Sequence, residues 1–265
     1  WKERYPVIRP EHLQPDSTKE ANVYAFVKEL SSRLEEGQIT VVGNGSACVA
    51  GGHSYVIKKG QRFISNSAIA AMGYDLPAAI GVCQAVKEDG REDAGAPSAG
   101  RQEKYRQEVI LLTGDGSIQM NLQELQTIVH HQMPIKIFVI NNGGYHSIRQ
   151  TQKNYFGEPL VGIGVDSHDL SFPDMGKLAQ AYGLPYVAAH HNEELAAAVE
   201  NTLSLKGPAI CEAFVTLEQN FEPKSAAKRL PDGSMVSPPL EDLSPFLPEE
   251  EMDAMMIIPR IEEPI

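Results

Sequence analysis

Two short runs carry the side chains that chemistry would need. Gly114-Asp115-Gly116-Ser117 follows an apolar β-type run, Val109-Ile110-Leu111-Leu112-Thr113, and Asn141-Asn142-Gly143-Gly144 ends a second one that begins at Ile135. In the first turn the glycines let backbone N–H groups approach a ligand, and a following helix points its positive end at the same place. A diphosphate suits such a turn. Asp115 puts negative charge in the middle of it, which makes sense if a cation lies between carboxylate and phosphate. A hard divalent ion such as Mg²⁺ takes oxygen ligands, typically a carboxylate or two plus substrate phosphates and water. Asn142, 142 − 115 = 27 positions after Asp115, supplies a neutral amide oxygen, and Gly144 can turn a backbone carbonyl inward.

The elements that must position these groups read as strand, turn, helix, strand. Leu122, Leu125, Ile128 and Val129 form the buried stripe of the helix between the two runs, with Asn121-x-x-Glu124 as its cap. His130-His131 at its end are read as partners of the helix dipole, since adjacent histidines do not face the same way. Upstream, Ser17-x-x-Glu20 has capping-box spacing before Val23, Phe26, Val27, Leu30 and Leu34 on one helical face, which Gly37 ends. Ile39 to Val42 is a short buried strand that stops at Gly43-Asn44-Gly45-Ser46, a good turn sequence in its own right. Leu76-Pro77-Ala78-Ala79-Ile80-Gly81 starts an apolar helix, and 87–107 reads as a long charged surface loop. Downstream, Ser171-Phe172-Pro173-Asp174 opens a helix with Met175, Leu178, Ala179 and Tyr182 on one face. A strand at 185–188, a helix capped by Asn192 and a last strand at 209–215 complete the alternation. The fold class expected is α/β, a doubly wound, mostly parallel sheet with helices on both faces, whose ligands bind at the carboxyl ends of the strands. Residues 1–16 read as a linker from an upstream domain, 17–215 as the binding domain, and 216–265 as an extended tail rich in proline and acid.

Gly-Asp-Gly followed by a helix and a strand ending Asn-Asn resembles the cofactor motif of thiamine diphosphate (ThDP) enzymes. The runs GDGSIQMNLQELQTIVHHQMPIKIFVINN and AAMGYDLPAAIG resemble the diphosphate-binding domain of acetolactate-synthase-like proteins, a likeness covering about 22–214. The resemblance implies ThDP with Mg²⁺ on Asp115, Asn142 and Gly144, and a diphosphate touched by Asn44, Gly45, Ser46, Gly114, Gly116, Ser117 and Tyr145. It implies that a carbonyl at Ala70 accepts from the aminopyrimidine and that Met72 props the cofactor into a bent shape, a use that suits the flexible thioether. Ser147, Ile148 and Thr151 would face the substrate. Thr151 departs from the true acetolactate synthases, which carry a substrate-selecting tryptophan there, and this leaves donor and acceptor open. His146 reads either as a proton shuttle or as a solvent-facing histidine.

The implied reaction is cleavage and formation of C–C bonds in a small 2-oxoacid through a thiazolium ylide, the cofactor carrying the hard step. Its activating glutamate belongs to a pyrimidine-binding domain of the same or another subunit, so a homodimer or homotetramer is expected and this chain alone would be inactive. The resemblance leaves open a flavin (FAD) in a middle domain. Two other readings stand beside it. One is a nicotinamide-dependent Rossmann oxidoreductase, although Gly114-x-Gly116-x-x-Gln119 lacks the third glycine and Asp115 would repel a metal-free pyrophosphate. The other is a non-catalytic domain that keeps the fold. A net charge of −12 over 265 residues disfavours nucleic acid as a partner, and no apolar run approaches the roughly 20 residues of a membrane span. Cys48, Cys83 and Cys211 lack CxxC spacing and read as thiols of a cytoplasmic protein. A start at Trp1 reads as a fragment.

Overall fold

The computed structural model describes residues 3–88 and 108–260. Helix α1 (Val23–Arg33) presents Val23, Phe26, Val27 and Leu30 to the core. Its cap is Asn22, whose side chain accepts from the N–H groups of Tyr24 (2.9 Å) and Ala25 (3.4 Å). The expected capping box at Ser17 and Glu20 does not form: Asp16 takes the Thr18 N–H in a local turn instead, and Asn22 stands directly before the apolar stripe. The helix ends at Arg33 rather than Gly37, because Leu34 is already extended.

The chain continues through β1 (Ile39–Val42), α2 (Ser46–Ser54), β2 (Arg62–Ser65), α3 (Asp75–Glu88), β3 (Val109–Gly114), α4 (Glu124–His130), β4 (Ile135–Asn141) and α5 (His146–Tyr155). After these come α6 (Met175–Tyr182), β5 (Tyr186–Ala189), α7 (Asn192–Ser204) and β6 (Ala209–Phe214). Strand β2 and helix α2 have no counterpart in the sequence reading, since β2 carries the charged Arg62 and is only partly covered. The expected cap of α4 is corrected too. A 3-10 turn at Ile118–Asn121 precedes the helix, and Asn121 donates to the Gly73 carbonyl (2.6 Å) instead of capping. Helix α7 starts at Asn192, with Glu194 reaching back to the His190 and His191 N–H groups. The loop expected over 87–107 falls, beyond the two last residues of α3, outside the described residues.

Six of the strands form one sheet in the order β2-β1-β3-β4-β6-β5, parallel at every pairing. Strands β1, β3, β4 and β6 are buried along nearly their whole length, and alternate residues leave on opposite faces. Val41, Leu111, Ile137, Val139 and Ile210 pack with Leu76, Ala79, Leu125, Ile128, Met175 and Ala179 from α3, α4 and α6. On the other face Phe138 meets Phe26 of α1, ring centroids 6.2 Å apart, and α1 packs against α2 and α7. The fold is therefore the doubly wound α/β sheet that the alternation of elements implied. The chain leaves β1 toward β2 on one side, and β3 toward β4 on the other. The crevice that opens at such a reversal lies outside the carboxyl ends of β1 and β3.

The compact unit around this sheet is Pro10–Gln219, wider at both ends than the expected 17–215. Asn192 explains the front, donating to the carbonyls of His12 (2.9 Å) and Gln14 (2.8 Å). Gln219 explains the rear, since its side chain accepts from Asn22 (2.6 Å). Residues 3–9 and 220–260 belong to a second unit. It holds an antiparallel pair, β7 (Lys228–Arg229) with β8 (Met235–Val236), and a helix, α8 (Glu249–Met255), whose Glu251 accepts from Arg4 (2.8 Å) and Tyr5.

Replacing Asn22 by Ala leaves two N–H groups of α1 without their acceptor and is expected to cost about 1 kcal/mol. Urea denaturation monitored by circular dichroism measures this, and an unchanged midpoint would show that the cap contributes nothing.

Candidate functional site

The site forms where three strands end. Gly43 continues β1, its N–H donating to the Leu112 carbonyl (2.8 Å); the Asp115 N–H, just beyond β3, donates to the Ile140 carbonyl (3.0 Å). These bonds carry the sheet order one step past its edge and set the turns 43–46, 114–117 and 141–144 side by side. A cleft with about 410 Å³ of empty space, its open mouth included, lies above them. Its lining brings together Asn44, Gly45, Ser46, Met72, Gly114, Asp115, Gly116, Ser117, Asn142, Gly144, Tyr145, Ser147 and Ile148, with His146 beside them. Two expected residues stay out of the lining. Thr151 points its hydroxyl back along α5 to the Ser147 carbonyl (3.1 Å) and is exposed, because one further helical turn carries it away from the cleft. Ala70 is exposed on the β2–α3 connection. Its φ of +56° is left-handed, a conformation that costs a non-glycine residue about 1–3 kcal/mol and persists where surroundings impose it.

Asp115 is nearly fully buried, and both carboxylate oxygens accept backbone N–H groups, one from Gly116 and one from Gly144, each at 2.9 Å. Among the described residues no cationic side chain pairs with it directly. Burial dominates over these bonds and pushes the Asp115 carboxyl up to about 7. Asn142 spends its amide nitrogen on the Ser46 hydroxyl oxygen (2.6 Å). That leaves the Asn142 carbonyl end, and the hydrogen of Ser46, for the cleft. Ser117 is different. Its oxygen accepts the Gly73 N–H (3.0 Å) and its hydrogen goes to the Asp75 carboxylate (3.3 and 3.4 Å), so its hydroxyl is committed and only its backbone remains for an anion. The Gly144 carbonyl accepts the His146 N–H (3.1 Å). A second lone pair stays on that oxygen.

Two glycines of these turns are steric necessities. A Cβ on Gly116 would stand 2.5 Å from the Tyr145 ring, and one on Gly43 would stand 2.2 Å from Asp75. Tyr145 is in turn held edge-on against Phe172, centroids 5.5 Å apart.

Three buried ionisable residues that the sequence reading passed over support these turns. Asp75 sits behind both glycine turns, its carboxyl raised by burial while the Thr113 and Ser117 hydroxyls and the Leu76 N–H bond to it. Glu212, inside β6, accepts from Asn141 (2.7 Å) and from the Tyr186 hydroxyl, while the other end of the Asn141 amide accepts the Gly143 N–H (3.0 Å). Arg149 is 1% exposed and grips Asp166 at 2.9 Å through two nitrogens. A lone carboxylate in an apolar run, as in Gly73-Tyr74-Asp75-Leu76-Pro77 or Ala209-Ile210-Cys211-Glu212-Ala213, was the available signal, since such a charge must find partners. His146 is buried, not solvent-facing, and burial lowers its proton affinity.

The donor set suits a hard divalent ion that shares its shell with phosphate and water: one carboxylate, one amide oxygen, one backbone carbonyl. Among the described residues no group of three or more His, Cys, Asp or Glu could hold a metal. An ion here would therefore complete its shell with oxygens from outside the protein, of phosphate or water.

Comparison with known proteins agrees with this geometry. The family model described as "Thiamine pyrophosphate enzyme, C-terminal TPP binding domain" matches residues 43–213. The acetolactate synthase large subunit of Pyropia yezoensis is 29% identical over 228 residues, 85% of this chain and 34% of that protein. That of Porphyra purpurea is 28% identical over 226 residues, 85% and 34%. The isozyme 2 large subunit of Escherichia coli K12 is 26% identical over 246 residues, 92% and 40%. The chain thus spans about a third of the length of the first two relatives. Nothing in these matches favours a nicotinamide oxidoreductase.

The raised Asp115 carboxyl has a sign for stability. Between about pH 4 and 7 the folded state keeps a proton that the unfolded chain has released, so stability falls as pH rises through that window. Asp115→Asn removes this penalty. Its stability relative to wild type, from urea unfolding in EDTA at pH 5, 6, 7 and 8, is expected to rise and then level off above about 7. A difference independent of pH would contradict the assignment.

Proposed function

Since this chain belongs to the thiamine pyrophosphate enzymes, as their C-terminal TPP-binding domain, we propose that it holds ThDP and Mg²⁺ in a 2-oxoacid decarboxylase or carboligase resembling acetolactate synthase. The observation that carries the metal is Asp115: a carboxylate buried between two backbone donors and opening on a cleft shared with Asn142. A buried carboxylate without a cationic partner is costly, and a divalent ion offsets that cost. Asp115, the Asn142 amide oxygen and the Gly144 carbonyl would hold the ion. The N–H groups of the 43–46 and 114–117 turns and the Ser46 hydroxyl would face the diphosphate. When bound, the cofactor supplies an electron sink for decarboxylating a 2-oxoacid. Met72, 40% exposed at the cleft, would support its bend, and Ala70, outside the cleft lining, would offer its carbonyl from the neighbouring connection.

For the substrate side, Ser147 and Ile148 line the cleft. Selection at this end of α5 therefore falls to them before Thr151. The activating glutamate would come from a pyrimidine-binding domain of the same or another subunit, in a homodimer or homotetramer. The three cysteines are free thiols, in keeping with a reducing cytoplasm. No helix among the described residues is long and apolar enough to cross a membrane.

Titration calorimetry of the intact protein tests the reading. ThDP is expected to bind only when Mg²⁺ is present and NAD not at all. Asp115→Ala is expected to abolish that uptake while the circular dichroism spectrum stays unchanged; retained affinity would remove the metal role. Met72→Ala is expected to weaken ThDP binding less than it lowers pyruvate turnover, and equal losses would show that Met72 merely lines the wall.

A further inference from the structure

The Asn142-Gly143-Gly144 turn carries two glycines with φ of +64° and +139°, conformations that leave the backbone little intrinsic preference for one shape. What holds it lies underneath. Arg149, from the second turn of α5, sends Nη1 to the Asn142 carbonyl (3.3 Å) and to His146 Nδ1 (3.0 Å). Its Nη2 donates to the Gly143 carbonyl (3.3 Å) and to Asp166 (2.9 Å), and its Nε donates to Asp166 (2.9 Å). All five guanidinium donors are thereby taken, and none is left for a ligand.

We propose that Arg149 is the positioning residue of the cation-binding turn, locked in place by Asp166 and by His146 acting as a fixed acceptor. The proposal rests on the ThDP and Mg²⁺ reading for the identity of the ion. A planar trans peptide points its C=O and its N–H in opposite directions. Pulling the Gly143 carbonyl down onto Arg149 therefore aims the Gly144 N–H upward, where it meets Asp115 at 2.9 Å. Pulling the Asn142 carbonyl down fixes the next peptide, whose Gly143 N–H is held by Asn141 (3.0 Å). With both peptide planes set, the Asn142 side chain is held by Ser46 (2.6 Å), and the Gly144–Tyr145 peptide by the Tyr145 N–H donating to the Ile163 carbonyl (2.7 Å). Val165 adds a second donor to the Gly143 carbonyl (3.1 Å), so the segment that carries Asp166 closes the same clamp.

His146 follows from the same bonds. A guanidinium only donates, so Nδ1 accepts and the ring hydrogen sits on Nε2, which donates to the Gln219 carbonyl (3.0 Å). With both ring nitrogens committed, His146 is part of the scaffold rather than a proton carrier. Lysine cannot replace Arg149, because a point charge cannot span two carbonyls, an imidazole and a carboxylate.

The test uses the intact protein at fixed ThDP, with uptake measured by equilibrium dialysis as Mg²⁺ is raised, and the unfolding midpoint recorded separately without either. Arg149→Lys is expected to raise the Mg²⁺ concentration for half-maximal uptake by about tenfold or more, the usual scale for losing a group that orients metal ligands. Asp166→Asn is expected to shift it in the same direction, and it decides the matter alone if Arg149→Lys does not fold. A role in fold stability only would lower the unfolding midpoint and leave the Mg²⁺ requirement of the folded protein within about twofold of wild type, and that result overturns the proposal. Wild-type protein that takes up no ThDP at any Mg²⁺ concentration overturns the cofactor reading itself, and this proposal with it.

Discussion

The structure depends on one carboxylate held between two strand tips. Asp115 leaves β3 and receives the N–H of Gly144, which leaves β4, at 2.9 Å. That bond joins the two turns and faces their oxygen atoms into a common cleft. Burial makes it expensive, raising the Asp115 carboxyl to about 7, so the fold carries an unfavourable charge at the place where a cation would relieve it. Strain of this kind persists only where the surroundings over-determine it. Here the surroundings are the sheet, whose register brings Gly114 opposite Ile140 and so sets the heights of the two tips.

The sheet can impose this because its central strands are apolar on both faces. Where they are not, the exceptions have partners. Lys136, fully buried in β4, donates to the Leu205 and Gly207 carbonyls at the end of α7 and pairs with Glu108 at 3.4 Å. Glu212 in β6 ties Tyr186 to Asn141 and, through it, to the Gly143 N–H. The first exception stabilises a helix terminus. The second reaches the functional turn through the Asn141 amide, while Arg149 grips the Asn142 and Gly143 carbonyls. The turn that would hold a metal is thus braced by Glu212, through Asn141, and by Arg149, neither of which lines the cleft.

The cleft was largely legible in the residues. Gly114-Asp115-Gly116 and Asn141-Asn142 are recognisable because glycines and oxygen-bearing side chains at strand ends have few other uses, and the structure gathers Gly114, Asp115, Gly116 and Asn142 into one lining. Local patterns misled where a stronger partner existed elsewhere. Asn121 has cap spacing, yet it bonds to Gly73, 48 positions away. Ser17 and Glu20 have box spacing, yet Asn22 caps. Thr151 shares a helical face with Ser147 and Ile148, but one further turn of α5 carries it beyond the cleft. His146 has two plausible roles by composition, and burial beside Arg149 leaves it neither.

What the chain order alone determined is the alternation of apolar strands and amphipathic helices, and with it a mostly parallel sheet and the turns at its strand ends. These follow from periodicity and from glycine and proline, which act over a few residues. What only tertiary structure decided is the state of each polar group: that the Ser117 hydroxyl is committed to Asp75 while Ser46 keeps its hydrogen, that Asp115 is buried, and that all five donors of Arg149 are consumed. The reason is physical. A hydrogen-bond partner and a local dielectric are properties of atoms brought together from as far as 96 positions apart, and no spacing rule along the chain records which of the possible partners arrives.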